Sequence, residues 1–281
     1  MGGLLHVRRL GAGAHFATGS PPAVPAAACR LRGCSTGVTA AETNLKRSNM
    51  MIHAAIALLL LGLASGCSST AVVPGAPPMT EAVSSAAWEQ DTVRFGAEDA
   101  MVPPPRGAVL FIGSSSIRLW DTLEADFPEV AVINRGFGGS EIRDSTWYAG
   151  RIVVPYAPCH VILYAGDNDL HSGRSPLQLR NEFRGFVRRL RRDLPRVRIS
   201  YIATKPSPSR VELLDAQRQA NASIAAQARR MRNVGFINVF DPMLDSDGQP
   251  RDSLFLADCM CLDKAGYDLW RQIIGPHVRC P

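Results

Sequence analysis

The stretch AVLFIGSSSI, residues 108–117, decides the fold class. Its first five residues are all apolar, without alternation of polar and apolar positions, which is typical of a strand buried on both faces of a parallel sheet. A glycine and three serines follow, so the strand ends in a tight turn. Apolar residues at 117, 119, 120 and 123 then predict a helix. The order strand, turn, helix predicts an α/β architecture.

The same order repeats toward the C-terminus. Short apolar runs predict four further strands, at residues 130–133, 161–165, 197–203 and 235–240. Apolar residues at helical spacing predict helices at 183–194, 213–231 and 265–274. Strands that alternate with helices form a parallel sheet covered on both faces. We therefore predict a single three-layer α/β domain with a five-stranded parallel sheet, at residues 88–281.

The chain before this domain is typical of an exported protein. An apolar run at residues 54–63 has the length of a signal-peptide core and is shorter than the roughly 20 residues that span a bilayer. Small residues directly precede Cys67, which resembles the lipobox of bacterial lipoproteins, whose cysteine is lipidated. We predict a lipoprotein-type signal segment at 50–66, a lipidated Cys67 and a small, polar, proline-containing tether at 67–87. An ordinary signal peptide and a buried helix are the alternatives.

Residues 1–49 show no sustained apolar period, yet they precede a signal that should begin near an N-terminus. We predict that this extension is unstructured or non-native, with translation starting at Met50 or Met51. The alternative is an intermediate start that keeps the basic residues Lys46 and Arg47 in front of the apolar run. A lipid anchor on Cys67 places the protein in the bacterial cell envelope, facing the periplasm. The outer membrane is preferred over the inner membrane in this prediction.

The distribution of charge excludes one class of partner. The formal net charge is +6, but residues 1–67 hold six basic residues against Glu42, so the rest of the chain carries about +1. A nearly neutral domain has no electrostatic footprint for polyanions, and we predict no nucleic-acid partner. The arginines of residues 184–198 fall between apolar residues at helical spacing, and we interpret them as a solvated helix face.

Small and polar residues follow three of the predicted strands where each strand ends. These segments are residues 113–118, 136–140 and 166–169, and a fourth, 258–263, precedes the last helix. Ligands of doubly wound sheets bind beyond the carboxyl ends of the strands. We therefore predict that the four segments assemble one site at that edge.

In this order the four segments resemble the blocks of the SGNH (GDSL-type) esterase and lipase family, over residues 109–270. The resemblance implies a flavodoxin-like fold and ester hydrolysis, and we predict no cofactor and no metal site. It implies that Ser115 is the nucleophile, at the start of a helix whose dipole favours negative charge, with Ser114 where the family has aspartate. The backbone N–H of Gly139 and the amide of Asn168 then donate to the oxyanion. Glycine suits that role because it has no Cβ to keep substrate away.

The fourth segment departs from the family pattern. Asp258 matches the family's aspartate, but Cys261 stands three residues later, where the family has its catalytic histidine. A thiol has a pKa of about 8.5, and a neighbouring carboxylate raises it further, so the thiol is a poor base at neutral pH. Loss of the base is the simplest interpretation. The alternatives are a disulfide with Cys280, Cys159 or another chain's cysteine, and a nucleophilic Cys261.

Other side chains are candidates for a part in the site. His171, three residues after Asn168, is a candidate replacement base, and His160 and His277 are weaker candidates. Three basic residues near strand ends or in loops are candidates for substrate contact: Arg118, Lys205 and Arg210.

Two functions follow from these residues. The first is a serine ester hydrolase for an acyl or acetyl ester, on a carbohydrate or a lipid, with activity impaired or altered by Cys261. The second is an envelope protein that has the same fold and binds a saccharide or lipid without catalysis; a purely structural envelope protein is a third. The predicted partners are a small ester substrate and, through the lipid anchor, the membrane.

Overall fold

The computed structural model describes residues 88–280. The extension at 1–49, the signal segment at 50–66 and the tether at 67–87, with its Cys67, lie outside the described residues. Within residues 88–280, no helix is both long and apolar enough to cross a membrane.

The sheet has five strands: β1 Val109–Gly113, β2 Val132–Gly136, β3 His160–Tyr164, β4 Arg198–Ile202 and β5 Val234–Ile237. All neighbouring pairs are parallel, in the order β2-β1-β3-β4-β5. Every residue of β1 and β3 is buried, as their unbroken apolar runs predict. The predicted five-stranded parallel sheet is confirmed, and its carboxyl ends lie at one edge.

The described residues contain eight α-helices: α1 Glu89–Met101, α2 Ser115–Arg118, α3 Leu123–Asp126, α4 Ile142–Ile152, α5 Asp167–His171, α6 Pro176–Asp193, α7 Leu214–Ala228 and α8 Lys264–Ile274. Helices α4, α6 and α7 pack on one face of the sheet through residues such as Tyr148, Phe183 and Ile224. Helices α2, α3 and α8 cover the other face through residues such as Ile117 and Trp270. The predicted three layers are therefore confirmed.

The helix predicted after β1 is wrong in its length. It is split into the single turns α2 and α3. The bend between them buries Trp120 against Phe111 and Phe127, and the Trp120 indole N–H donates to Asp126 at 2.7 Å. Burial of a large aromatic side chain outweighs the lost helical hydrogen bonds. Because one turn aligns few peptide dipoles, the expected dipole stabilisation at Ser115 is small.

Strand β2 begins two residues later than predicted and contains polar side chains. Arg135 lies in it and is buried, because its guanidinium forms an ion pair with Asp99 and lies over the rings of Phe95 and Tyr156. These partners belong to α1 and to the segment before β3, and they compensate the buried charge.

A disulfide joins Cys159, at the amino end of β3, to Cys280, with 5.4 Å between the two Cα atoms. Cys261 is a free thiol. A disulfide between Cys261 and either of these two cysteines is therefore wrong, since they bond to each other.

Candidate active site

Hydrogen bonds join the segments that follow β1, β2 and β3. The Phe137 N–H donates to the Gly113 carbonyl at 2.8 Å, and the Ser114 N–H donates to the Tyr164 carbonyl at 2.9 Å. These bonds continue the sheet pairing by one residue beyond the strand ends. The segments that carry Ser115, Gly139 and Asn168 therefore meet at the carboxyl edge, as the sequence predicts.

Ser115 begins α2 after a turn that only glycine permits. Gly113 has a φ of +138°, and a Cβ on it would lie 1.7 Å from the Tyr164 carbonyl oxygen. Ser114 is fully buried, whereas Ser115 is half-buried. Of these two serines, Ser115 is the one that a substrate can reach.

Gly139 lies in the exposed turn after β2. Its φ of +78° favours glycine, and a Cβ would lie 3.2 Å from the ring of Trp88. No backbone carbonyl of the described residues accepts a hydrogen bond from its N–H. An oxyanion hole requires a free backbone donor of this kind at the reacting edge.

The orientation of the Asn168 amide is determined at both ends. Its Nδ2 donates to the Ser140 carbonyl at 3.1 Å, and its Oδ1 accepts from the Nη1 and Nη2 atoms of Arg210 at 3.2 and 3.3 Å. An amide nitrogen has two hydrogens, so the second hydrogen remains for an oxyanion. The positively charged guanidinium of Arg210, which donates to Oδ1, also polarises the amide and makes Nδ2 a stronger donor.

Arg210 is held in place by Asp167, the residue before Asn168. Its Nη1 lies 3.0 Å from Asp167 Oδ2, and both side chains are 7% exposed. Each buried charge therefore has an opposite partner. Arg210 was predicted from the sequence as a candidate for substrate contact; its contacts in the structure are with Asp167 and Asn168.

Asp169 makes a second connection between α5 and the Gly139 segment. Its Oδ1 accepts from the Ile142 N–H at 3.1 Å, at the start of α4. Burial raises the pKa of this carboxyl well above its usual range. Asn168 and Asp169 thus fix the two ends of the short segment between Gly139 and α4.

The loop before α8 carries Asp258 and Cys261. Asp258 Oδ1 accepts from the N–H groups of Met260 and Cys261, each at 2.9 Å. Partial burial opposes ionisation of Asp258, but hydrogen bonds from the Cys261 thiol and these N–H groups lower its pKa. Partial burial, followed by the hydrogen bond and charge of Asp258, raises the pKa of Cys261 to about 11. The thiol is therefore protonated at neutral pH.

Two side chains hold this loop at the site. Lys205 is 1% exposed, and its Nζ donates to the Met260 carbonyl at 2.8 Å. Burial lowers the pKa of Lys205. From α8, the Tyr267 hydroxyl donates to the Ser116 carbonyl at 3.0 Å, which ties the helix after Cys261 to the turn of Ser115.

The weaker candidate bases lie away from this edge. His160 is buried at the amino end of β3, and burial, with the charge of Arg198, lowers its pKa to about 3. His277 is also close enough to Arg198 for that charge to lower its pKa, after the larger effect of burial. His171 is exposed at the end of α5. In residues 88–280, no three His, Cys, Asp or Glu side chains are grouped so that they could hold a metal ion.

The family follows from a match to residues 113–269, which contain every residue of this edge from Gly113 to Tyr267. The matching family is described as GDSL-like lipase/acylhydrolase. The chain belongs to this family. Membership supports ester hydrolysis in general.

Solved structures similar to this GDSL-like chain share its fold. A Streptococcus pneumonia protein named for platelet activating factor has a TM-score of 0.61 at 20% identity, over 68% of this chain and 92% of that one. A GDSL-like lipase from Bacteroides thetaiotaomicron has a TM-score of 0.57 at 20% identity, over 66% and 96%. No curated protein matches the sequence.

Proposed function

We propose that the protein is a serine ester hydrolase in which Ser115 is the nucleophile. The Gly139 N–H and the Asn168 amide then stabilise the oxyanion. The observation that carries this proposal is the Asn168 amide, whose acceptor end is occupied by Arg210, so that a donor hydrogen remains for the reacting edge. Donors fixed before the reaction stabilise the transition state without reorganisation.

In this proposal Cys261 makes the enzyme slow rather than inactive. A serine hydroxyl needs a base to take its proton, and a thiol with a pKa of about 11 is almost entirely protonated at neutral pH. An intact oxyanion hole retains part of the catalysis when a triad member is missing. We infer that the substrate is an acyl or acetyl ester of a carbohydrate or a lipid.

We expect the purified protein to react with a fluorophosphonate probe and to hydrolyse p-nitrophenyl acetate slowly. Ser115→Ala should abolish the labelling, because the probe forms its covalent bond with the serine oxygen. Intact-protein mass spectrometry and release of p-nitrophenol measure the two reactions.

Ser114→Ala is the matched control, since Ser114 is the buried neighbour. It should retain the labelling. Labelling that survives Ser115→Ala would contradict the assignment of the nucleophile.

A second candidate function is an envelope protein that binds an ester or saccharide without turnover. The raised pKa of the Cys261 thiol favours it, because the side chain at position 261 then does not act as a base at neutral pH. Binding of a ligand without hydrolysis, together with an unlabelled Ser115, would decide for this candidate.

We propose that the protein is lipidated at Cys67 and faces the periplasm. The Cys159–Cys280 disulfide supports export, since disulfides persist in oxidising compartments. We expect palmitate labelling of the wild-type protein in a bacterial host and its loss in Cys67→Ser. A Cys67→Ser protein that still incorporates palmitate would overturn the anchor.

A further inference from the structure

An arginine-lined groove of about 600 Å³ lies at the amino edge of the sheet, opposite the candidate active site. Helix α6, the turn before β4 and the segment between α7 and β5 form its walls. Four arginines from these three places line it: Arg188, Arg191, Arg196 and Arg232. From the sequence, the first three were expected to belong to a solvated helix face, but in the structure Arg232 joins them from a separate segment.

The positive charge of this arginine groove is not neutralised by its own residues. None of its lining residues is acidic. Arg188, Arg196 and Arg232 are exposed, and none of them forms an ion pair with a carboxylate in the described part of the chain. Asp193, the acidic residue at the end of α6, forms ion pairs with Arg189 and Arg192.

Arg191 is fixed in the wall of the groove. Its guanidinium donates to the backbone carbonyls of Val197 and Arg232, at 2.7 and 2.8 Å. Burial and the charge of Arg232 lower its pKa, so the two guanidinium groups repel each other. A bound anion would relieve this repulsion, and arginine matches phosphate with paired hydrogen bonds.

The remaining lining residues distinguish between classes of anion. Val187, Met231 and Val234 place apolar surface between the arginines, and no lining residue is aromatic. Proteins that bind single-stranded nucleic acid stack the bases on aromatic side chains. An apolar floor with an arginine rim instead suits a phosphodiester head group that continues into acyl chains.

We propose that the arginine groove docks the domain on a bilayer that contains anionic phospholipids. The candidate active site lies at the other edge of the sheet, so this orientation directs Ser115 away from the bilayer surface. This consequence rests on the proposed function: the substrate is an ester presented from the aqueous side, such as an acylated saccharide, rather than a lipid of the same membrane. The binding itself does not depend on catalysis.

The test is co-sedimentation of the full chain with vesicles, in a Cys67→Ser background that removes the predicted anchor from every arm. We expect binding to vesicles of equal parts phosphatidylcholine and phosphatidylglycerol, weakened by salt, and much less binding to phosphatidylcholine alone. Replacing Arg188, Arg196 and Arg232 together with alanine should lower the partition coefficient on the order of a hundredfold, at about fivefold per charge. Replacing the same three with lysine should retain most of the binding.

The matched control replaces Arg94, Arg218 and Lys264, which lie elsewhere on the surface, with alanine. It removes the same net charge and should change the partition coefficient far less. Equal losses in the two triple variants would overturn the proposal. So would tighter binding of a single-stranded oligonucleotide than of the anionic vesicles. Thermal unfolding checks that the variants are folded. If the triple alanine variant is not, the single variants Arg188→Ala, Arg196→Ala and Arg232→Ala replace it, each with an expected loss of about fivefold, and unchanged binding in all three would overturn the proposal.

Discussion

Cys261→His should raise kcat/KM for p-nitrophenyl acetate about a thousandfold at neutral pH, because it restores a base. Imidazole has a pKa of about 6.5 and can accept the Ser115 proton with one nitrogen while it donates to Asp258 with the other. The Asp258 carboxylate is already ordered by two backbone N–H groups. Steady-state kinetics over a range of pH measure the gain.

The wild-type protein and the Cys261→His variant should differ in how their rates of hydrolysis depend on pH. The thiolate fraction of Cys261 grows about tenfold per pH unit below its pKa of about 11, so a wild-type rate that uses the thiolate keeps rising through pH 10. The histidine variant should reach a plateau near pH 7 to 8. Cys261→Ala, the control, should have the wild-type rate at neutral pH. A histidine variant as slow as Cys261→Ala, with Ser115 still reactive to fluorophosphonate, contradicts a base at position 261.

Arg210→Met should lower the free energy of unfolding by about 3 to 5 kcal/mol, because it leaves Asp167 as a buried carboxylate without a partner. Urea denaturation measures the change. Adding Asp167→Asn removes the uncompensated charge and should restore most of the stability. This double variant is the control that separates folding from catalysis.

The double variant should remain impaired in catalysis when both substitutions are placed in the active Cys261→His protein. Asn168 then loses the guanidinium that orients and polarises its amide, and we expect kcat to fall by about ten- to a hundredfold with little change in KM. The two parameters are affected differently because the oxyanion forms only in the transition state. If the stabilised variant keeps its full kcat, Arg210 supports the fold alone.

The strands and the edge that carries the candidate site were predictable from the sequence, because both depend on short stretches of neighbouring residues. An apolar run such as residues 109–112 has few alternatives to a buried strand. The carboxyl ends of parallel strands all lie at the same edge of the sheet. Ser115, Gly139 and Asn168 each follow a strand directly. Their positions at one edge therefore follow from the parallel direction of the strands, which the alternation of strands and helices predicts.

The supporting contacts were not predictable, because their partners are distant in sequence. Arg210 lies 43 residues after Asp167, and nothing in either segment indicates the pairing. The bend that buries Trp120 depends on Phe127, which packs there only when α3 has turned back. The arginine groove requires that Arg232 meet α6, which is a property of helix packing rather than of either sequence segment.

The Cys159–Cys280 disulfide encloses some residues of the candidate active site in a covalent ring and leaves others outside it. Cys159 and Cys280 enclose a ring with a sequence separation of 121 residues. Asn168, Arg210, Asp258 and Cys261 belong to this ring, whereas Ser115 and Gly139 precede it in the chain. In the unfolded chain, this ring keeps Asn168 and Cys261 within a limited distance of each other. The Cys159–Cys280 disulfide thus reduces the search of these four residues for one another, but by itself it does not shorten the search of Ser115 for them.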